Sequence, residues 1–282
     1  MSRQDLGPVD LLLHTSHDDR VTRYGLQGRA TNVVPVTSEA LTKKYGNFQD
    51  GMVAKIFWGE ASRTSEPDIL YKVSHITLWK EGVYHRDVSP PNLMWYWKDG
   101  KRMGVLNDYD LSSLADDPCP RGNELTGTVP FMALDLLSAE AQRGKVKHLY
   151  RHDLESFMWV FIWICFNYRG GALLPAKLRP LDRWATFDAV TCGKNKYFFL
   201  VDMLNYPSHP HPLVWRFLLQ CVFVLRTNEN HRSTLRLQEL LMGPEVTEQS
   251  DDEEQEDMDG FLRMFTNTQV WVELSEFSSA PQ

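Results

Sequence analysis

The residues best suited to chemistry lie in one octapeptide, His-Arg-Asp-Val-Ser-Pro-Pro-Asn, at positions 85–92. Asp87 supplies a carboxylate that can accept the proton of a hydroxyl group, and Asn92 supplies an amide oxygen that can bind Mg²⁺. Transfer of a phosphoryl group asks little covalent chemistry of a protein, but it requires an oriented hydroxyl and cations that neutralise the spreading charge. An aspartate and an asparagine at this spacing therefore indicate phosphoryl transfer.

A further acidic residue follows at the end of an apolar stretch. Asp108 lies sixteen residues after Asn92, directly after Val-Leu-Asn at 105–107. Mg²⁺ prefers hard oxygen ligands, and one or two protein side chains commonly share it with phosphate and water. We therefore predict that Asp108 and Asn92 bind Mg²⁺, and that Asp87, Asn92 and Asp108 converge around a magnesium-bound triphosphate.

The elements that must position these residues change in type along the chain. β-Branched residues and turn signals dominate the first part, whereas the chain after about residue 131 has a helical pattern. This order predicts an α+β fold with a small sheet lobe and a larger helical lobe. The predicted elements are a strand pair within 26–36, a strand at 52–58, and helices at 62–73, 76–83, 153–166, 214–226 and 235–242.

Several phrases of the sequence together carry a resemblance to a known family. They are residues 85–89, 127–133 and 153–156, with 53–58 and 63–66 upstream. Over roughly residues 26–240 the chain is similar to the fungal-type protein kinases. The resemblance implies a protein-kinase-like two-lobed fold, ATP and Mg²⁺ as cofactors, and a protein as the substrate of Ser/Thr-type phosphoryl transfer.

The resemblance also implies roles for single residues. Lys55 would contact the α- and β-phosphates, Glu66 would pair with Lys55, and Gly28 would belong to the remnant of the phosphate-covering loop. Asp153 would accept hydrogen bonds from the backbone of the catalytic loop. The implied site comprises Asp87, Lys55 and Glu66 for catalysis, Gly28, Lys55, Asn92 and Asp108 for the nucleotide, and Asn92 and Asp108 for the metal.

Composition and resemblance together divide the chain into segments. The predicted kinase-like domain spans residues 26–242, with a small lobe at 26–75 and a helical lobe at 76–242. An acidic run at 251–259 predicts a disordered linker. The other predicted segments are an irregular N-terminal part at 1–25, the acidic linker at 243–260 and a C-terminal segment at 261–282.

The interval before the octapeptide is shorter than the resemblance requires. Only 18 residues separate Glu66 from His85, whereas the two strands and two helices that complete a kinase adenine site need about 5–6 residues per strand and about 11–12 per helix. Three interpretations therefore stand: an active protein kinase, a catalytically dead kinase-like scaffold that binds partners, and a small-molecule phosphotransferase of the aminoglycoside or choline kinase kind. The last is included because Asp108 and Asp110 also fit the metal motif of that class.

The bulk composition argues against several other functions. The formal net charge is -7, so the balance gives no basic face for nucleic acid or an anionic membrane. None of the four cysteines has a partner at metal-ligand spacing, and we expect a reducing compartment. The most apolar stretch, 157–166, is far shorter than the about 20 residues that cross a bilayer. We expect a soluble intracellular protein, and no feature of the sequence specifies an oligomeric state.

Overall fold

The part of the chain that the computed structural model describes consists of residues 10–14, 21–23, 31–45, 52–57, 82–98, 101–114 and 127–243. The chain divides into two compact units, residues 1–76 and 77–282. The described elements are those of an α+β protein in which helix predominates and the sheets are small. The boundaries predicted for the lobes and for the acidic linker stay predictions.

The first unit contains a four-stranded antiparallel sheet in which one strand pairs with the other three. The strands are β1 (Leu12–Leu13), β2 (Val21–Arg23), the shared strand β3 (Thr31–Thr37) and β4 (Met52–Phe57). Val34 and Val36 of β3 are both buried, as expected for alternate residues on the covered face of a sheet. The strand predicted at 52–58 is confirmed as β4. Of the strand pair predicted within 26–36, one strand is confirmed as β3, but the described partners of β3 all lie outside that range.

A short helix, α1 (Glu39–Tyr45), follows β3. The hydroxyl of Ser38 accepts a hydrogen bond from the backbone amide of Leu41 at 3.5 Å. An acidic residue in the first turn and two lysines in the last turn complement the helix dipole. The sequence pattern does not predict this helix, because seven residues are too few to display a hydrophobic period.

Two short antiparallel strand pairs in the second unit flank the octapeptide at 85–92. The strands are β5 (Val83–Tyr84) paired with β8 (Ser113–Leu114), and β6 (Leu93–Lys98) paired with β7 (Lys101–Leu106). Because the octapeptide connects β5 to β6, and residues 107–112 connect β7 to β8, the two connections lie side by side. The helix predicted over 76–83 is wrong at its end, since Val83 belongs to a strand.

Three longer helices in the described part of the second unit build its core. They are α2 (Tyr150–Asn167), α3 (Ala189–Asp202) and α4 (Pro212–Met242). The buried helix predicted at 153–166 is confirmed as α2. The helices predicted at 214–226 and 235–242 form one continuous helix, because no glycine or proline interrupts the polar stretch between them.

The segment before α2 is less regular than predicted. Instead of a continuous helix from about residue 131, the chain forms short 3₁₀ turns at Val129–Phe131, Asp135–Leu137 and Ala141–Arg143. Helix α3, which begins at an Asp188 side chain that accepts a hydrogen bond from the Thr191 amide, is absent from the predicted elements. None of the helices in the described part of the chain is both long and apolar enough to span a bilayer.

Candidate active site

A buried carboxylate of α2 fixes the start of the octapeptide. Asp153 accepts hydrogen bonds from two consecutive backbone amides, that of His85 to Oδ2 at 2.6 Å and that of Arg86 to Oδ1 at 3.0 Å. Arg86 has a left-handed backbone with a φ of 68°, a conformation that is unfavourable for a residue with a side chain. The two bonds to Asp153 stabilise this turn and thereby set the direction in which the chain continues into Asp87.

The charge of Asp153 is held by its neighbours. Burial opposes ionisation of this carboxyl group, but the adjacent His148, whose Nε2 lies 3.0 Å from Oδ1, lowers its pKa most. His85 and the amide of Arg86 act in the same direction, and the net pKa of Asp153 lies below its ordinary value. Asp153 is therefore an anion at neutral pH, and an anion is the stronger acceptor for the two amides.

Both carboxylate oxygens of Asp87 are held by polar groups. Oδ1 accepts hydrogen bonds from the backbone amide of Thr128 at 3.0 Å and from its hydroxyl at 2.7 Å. The Asn92 amide nitrogen donates to Oδ2 at 3.2 Å and to the backbone carbonyl of Asp87 at 2.8 Å. Because that nitrogen faces Asp87, the amide oxygen of Asn92 is the atom that can bind a cation.

Asp108 lies on the neighbouring connection. The backbone amide of Asn107 donates to the carbonyl of Asn92 at 2.8 Å, so Asp108 follows a residue that is in direct contact with Asn92. Asp108 itself adopts a left-handed backbone, with φ 66° and ψ 71°. Aspartate tolerates this conformation better than most residues, and the turn directs the chain from β7 into the 3₁₀ turn Tyr109–Leu111.

His85 joins the two connections. Its Nε2 donates to the carbonyl of Asn107 at 3.0 Å, and its ring makes an edge contact with Tyr109 at 4.8 Å between centroids. Burial lowers the pKa of His85, and the carboxylates of Asp153, Asp87 and Asp108 offset this only in part. His85 is thus a neutral structural link at pH 7.

The segment that begins at Gly127 reaches the octapeptide at close range. Gly127 has a φ of 143°, and a Cβ at this position would lie 3.0 Å from the carbonyl oxygen of Arg86. Glycine is required here because a side chain would be strained by the backbone and would press against that oxygen. This close approach places Thr128 within hydrogen-bond distance of Asp87.

A cluster of buried charges holds the other end of the same segment. The carboxylate of Asp135 lies 2.7 Å from Arg151, 3.5 Å from Arg232 and 3.1 Å from Arg236. Burial opposes ionisation of Asp135, but His152, Arg232 and Arg151 lower its pKa far below the ordinary value. The signal that could have found part of this cluster is the presence of Arg151 and Glu155 at the start of an otherwise apolar helix.

The three oxygen-bearing residues predicted for the metal and the base lie in one region of the second unit. Asp87 contacts Asn92 directly, and Asp108 follows the residue that pairs with Asn92. Lys55 lies in β4 of the first unit, opposite Val33, and its side chain is outside the described residues. Gly28 and Glu66 also lie outside the described residues. The roles assigned to Lys55, Glu66 and Gly28 stay predictions.

The donor atoms near Asp87 suit Mg²⁺ better than a transition metal. In the described part of the chain, no three His, Cys, Asp or Glu side chains come together as a metal cluster. One carboxylate at Asp108 and one amide oxygen at Asn92 are hard donors, and Mg²⁺ commonly takes one or two such protein ligands and completes its shell with phosphate and water. The two side chains therefore fit a nucleotide-bound Mg²⁺.

The segment that contains Asp87, Asn92 and Asp108 resembles a known protein family. A family model described as fungal protein kinase matches residues 73–165. Over this segment the chain is similar to the fungal protein kinases. The matched kinase segment is about a third of the chain and contains Asp87, Asn92, Asp108 and Asp153, whereas Lys55 and Glu66 lie before it. No curated protein matches the chain.

Proposed function

We propose that the chain is an ATP-dependent protein kinase that transfers a phosphoryl group to serine or threonine hydroxyls. The observation that carries the proposal is the arrangement around Asp87, whose carboxylate is held by Thr128 on one side and by Asn92 on the other. The match of residues 73–165 to the model of the fungal protein kinases supports the reaction class.

The proposed role of Asp87 is to orient and deprotonate the substrate hydroxyl. A carboxylate held at both oxygens cannot rotate freely, so the hydroxyl that it accepts is presented in one direction. Thr128 belongs to the segment 127–135, which we propose as the platform for the protein substrate. The hydrogen bond from the Thr128 hydroxyl to Asp87 would then keep the bound protein substrate at a fixed position relative to the Asp87 carboxylate.

Asn92 and Asp108 would hold Mg²⁺ on the nucleotide side. When bound, the ion neutralises the charge that spreads over the transferring phosphoryl group. Asn92 donates its amide hydrogens to Asp87 and thereby keeps its oxygen turned to the ion. The family resemblance assigns contacts with the nucleotide to Lys55 and Gly28 and an ion pair with Lys55 to Glu66, and these assignments stay predictions.

The decisive experiment is transfer of radiolabelled phosphate from Mg²⁺-ATP to a generic protein substrate. Replacement Asp87→Asn keeps the shape of the side chain and an oxygen that can accept from Thr128, but it removes the base and the acceptor for the Asn92 amide. We expect a loss of about 10²–10⁴-fold in kcat, the range for removing a general base. The matched control is Asp182→Asn, since Asp182 pairs only with the surface residue Arg179 among the described ion pairs, and its activity should equal that of the wild type. Equal activity of Asp87→Asn and wild type would contradict the proposed role.

A second candidate is a kinase-like scaffold without catalytic activity. The short interval of 18 residues between Glu66 and His85 favours it, because it leaves little chain for the strands and helices around an adenine. The scaffold predicts that wild type and Asp87→Asn both transfer no phosphate, whereas the kinase predicts transfer by the wild type alone.

A further inference from the structure

A fully buried lysine lies below the segment that contacts Asp87. Lys196 of α3 has no exposed surface, and its ammonium nitrogen lies 2.6 Å from the backbone carbonyl oxygen of Met132. The same nitrogen lies 4.4 Å from the ring centroid of Trp159 and 5.8 Å from that of Trp184. Among the described residues no carboxylate forms an ion pair with Lys196.

A buried lysine without an anionic partner is costly, so its contacts must explain its presence. Taking an ammonium group out of water is unfavourable unless it is hydrogen-bonded, and Lys is among the residue types least often fully buried. Here the tryptophan faces provide cation–π contacts, and the carbonyl of Met132 accepts the hydrogen bond. An apolar residue of the same size would fill the space and leave that carbonyl without its buried donor.

The carbonyl that Lys196 binds belongs to the turn that begins at Thr128. Within this turn the amide of Phe131 donates to the carbonyl of Thr128 at 2.8 Å, and the amide of Met132 donates to that of Val129 at 3.3 Å. Thr128 in turn donates to Asp87 through both its amide and its hydroxyl. The hydrogen bonds and the peptide bonds of this turn therefore connect the lysine to the carboxylate.

Helix α3 also packs closely against the segment 127–137, one turn before Lys196. A Cβ at Gly193 would lie 2.9 Å from the Cβ of Leu137, so the helix backbone itself packs against the 3₁₀ turn Asp135–Leu137. The amide of Leu134 is held separately by Glu155 of α2 at 2.8 Å. Lys196 and Glu155 thus hold neighbouring backbone groups of the segment from two different helices.

We propose that Lys196 is a positioning residue that fixes the turn 128–132 and, through Thr128, the orientation of Asp87. The expected effect of Lys196 on kcat rests on the proposed kinase function. Its expected effect on the stability of residues 128–132 does not. Other charged or titratable groups that face it are Cys192 on α3 and Glu155 on α2. Burial lowers the pKa of Lys196 to about 7, and Cys192 and Glu155 offset this only in part.

The test compares two variants of helix α3. Lys196→Met keeps the volume of the stem and removes the donor, whereas Leu200→Ala removes buried surface one turn later without removing a hydrogen bond. Hydrogen exchange followed by mass spectrometry reports on the amides of residues 128–134. Relative to exchange at the amides of α2, we expect exchange there to become at least about tenfold faster in Lys196→Met, as for the loss of about 1.4 kcal/mol of local stability. In folded Leu200→Ala this ratio should stay near that of the wild type, because the cavity destabilises the core as a whole.

Steady-state kinetics of the same proteins give the second readout. Because the turn lies on the side of the hydroxyl substrate, Lys196→Met should lower kcat about tenfold and leave the KM for ATP within about twofold. A wild type that transfers no phosphate would refute the kinase proposal, and the exchange measurement would still decide the role of Lys196. Unchanged exchange at 128–134 in folded Lys196→Met would overturn the positioning proposal.

A measurement on the wild type covers the case in which Lys196→Met does not fold. At pH 6, below its pKa of about 7, Lys196 carries a charge. A ¹⁵N-lysine spectrum should then contain one ammonium signal that is protected from exchange with water and displaced by the rings of Trp159 and Trp184. Absence of such a signal would refute the placement on which the proposal depends.

Discussion

At the scale of single residues, the buried charged groups of the second unit matter more for its stability than the charged groups on its surface do. Asp135 joins the end of the segment 127–135 to arginines from the start of α2 and from α4. Removing one partner of such a cluster leaves other charges buried without compensation, which costs more than the cluster itself contributes. Partly exposed pairs such as Arg179 and Asp182 contribute less.

The first prediction at this scale concerns Asp135→Asn. We expect this variant to lose about 3–5 kcal/mol in the free energy of unfolding at pH 7, as measured by urea denaturation, because Arg151 loses the carboxylate with which it pairs in a largely buried site. Asp182→Asn should differ from the wild type by less than about 1 kcal/mol. A loss of that small size in Asp135→Asn would contradict the structural role of the cluster.

The pH dependence of the wild type follows from the same residue. The pKa of Asp135 is lower in the folded protein than its ordinary value of 3.8. As pH falls below 3.8, the unfolded chain takes up a proton that folded Asp135 does not, so the wild type loses stability in that acidic window. Melting temperatures recorded between pH 3 and pH 6 should therefore fall less steeply with acid in Asp135→Asn than in the wild type. Parallel curves would contradict this assignment.

At the scale of elements, the sequence predicts helices well where the apolar pattern is long and poorly where contacts decide. Helix α2 is evident because it is apolar on nearly every side. The 3₁₀ turns before it depend on tertiary contacts, such as those of Lys196 and Glu155 with the backbone, that no local pattern encodes. The two predicted helices form the single helix α4 because no glycine or proline lies between them. The polar residues that join them carry no hydrophobic pattern that would predict a helix.

The continuous helix α4 provides a matched pair of substitutions. Leu218 is fully buried against the core, whereas Leu240, near the end of the same helix, is 83% exposed. Leu218→Ala should lower the free energy of unfolding by about 2–5 kcal/mol, because a cavity replaces the side chain. Leu240→Ala should change it by no more than about 0.5 kcal/mol. Urea denaturation of the two variants tests the placement of α4, and similar losses in both would contradict it.

At the scale of the whole molecule, the sequence and the structure agree in one region of the second unit. The placement of Asp87, Asn92 and Asp108 in one region could be predicted from their spacing and side-chain chemistry, whereas their roles as base and metal ligands stay proposals. The part of Thr128 in holding Asp87 could not be derived in the same way, since the two residues are 41 positions apart and meet only through the turn at Gly127. Lys196 gave no signal at all, because a lone lysine in a helix is ordinarily a surface residue.

The measurement that most directly tests the convergence of these oxygen ligands is thermal unfolding with Mg²⁺-ATP. At a nucleotide concentration 100-fold above Kd, binding adds about 2.7 kcal/mol and should raise the Tm of the wild type by about 5–10 °C. The rise should disappear when EDTA removes the metal and in the variants Asp108→Asn and Asn92→Ala. No rise in the wild type, or an equal rise in Asp108→Asn, would contradict a magnesium-nucleotide site at Asp87, Asn92 and Asp108.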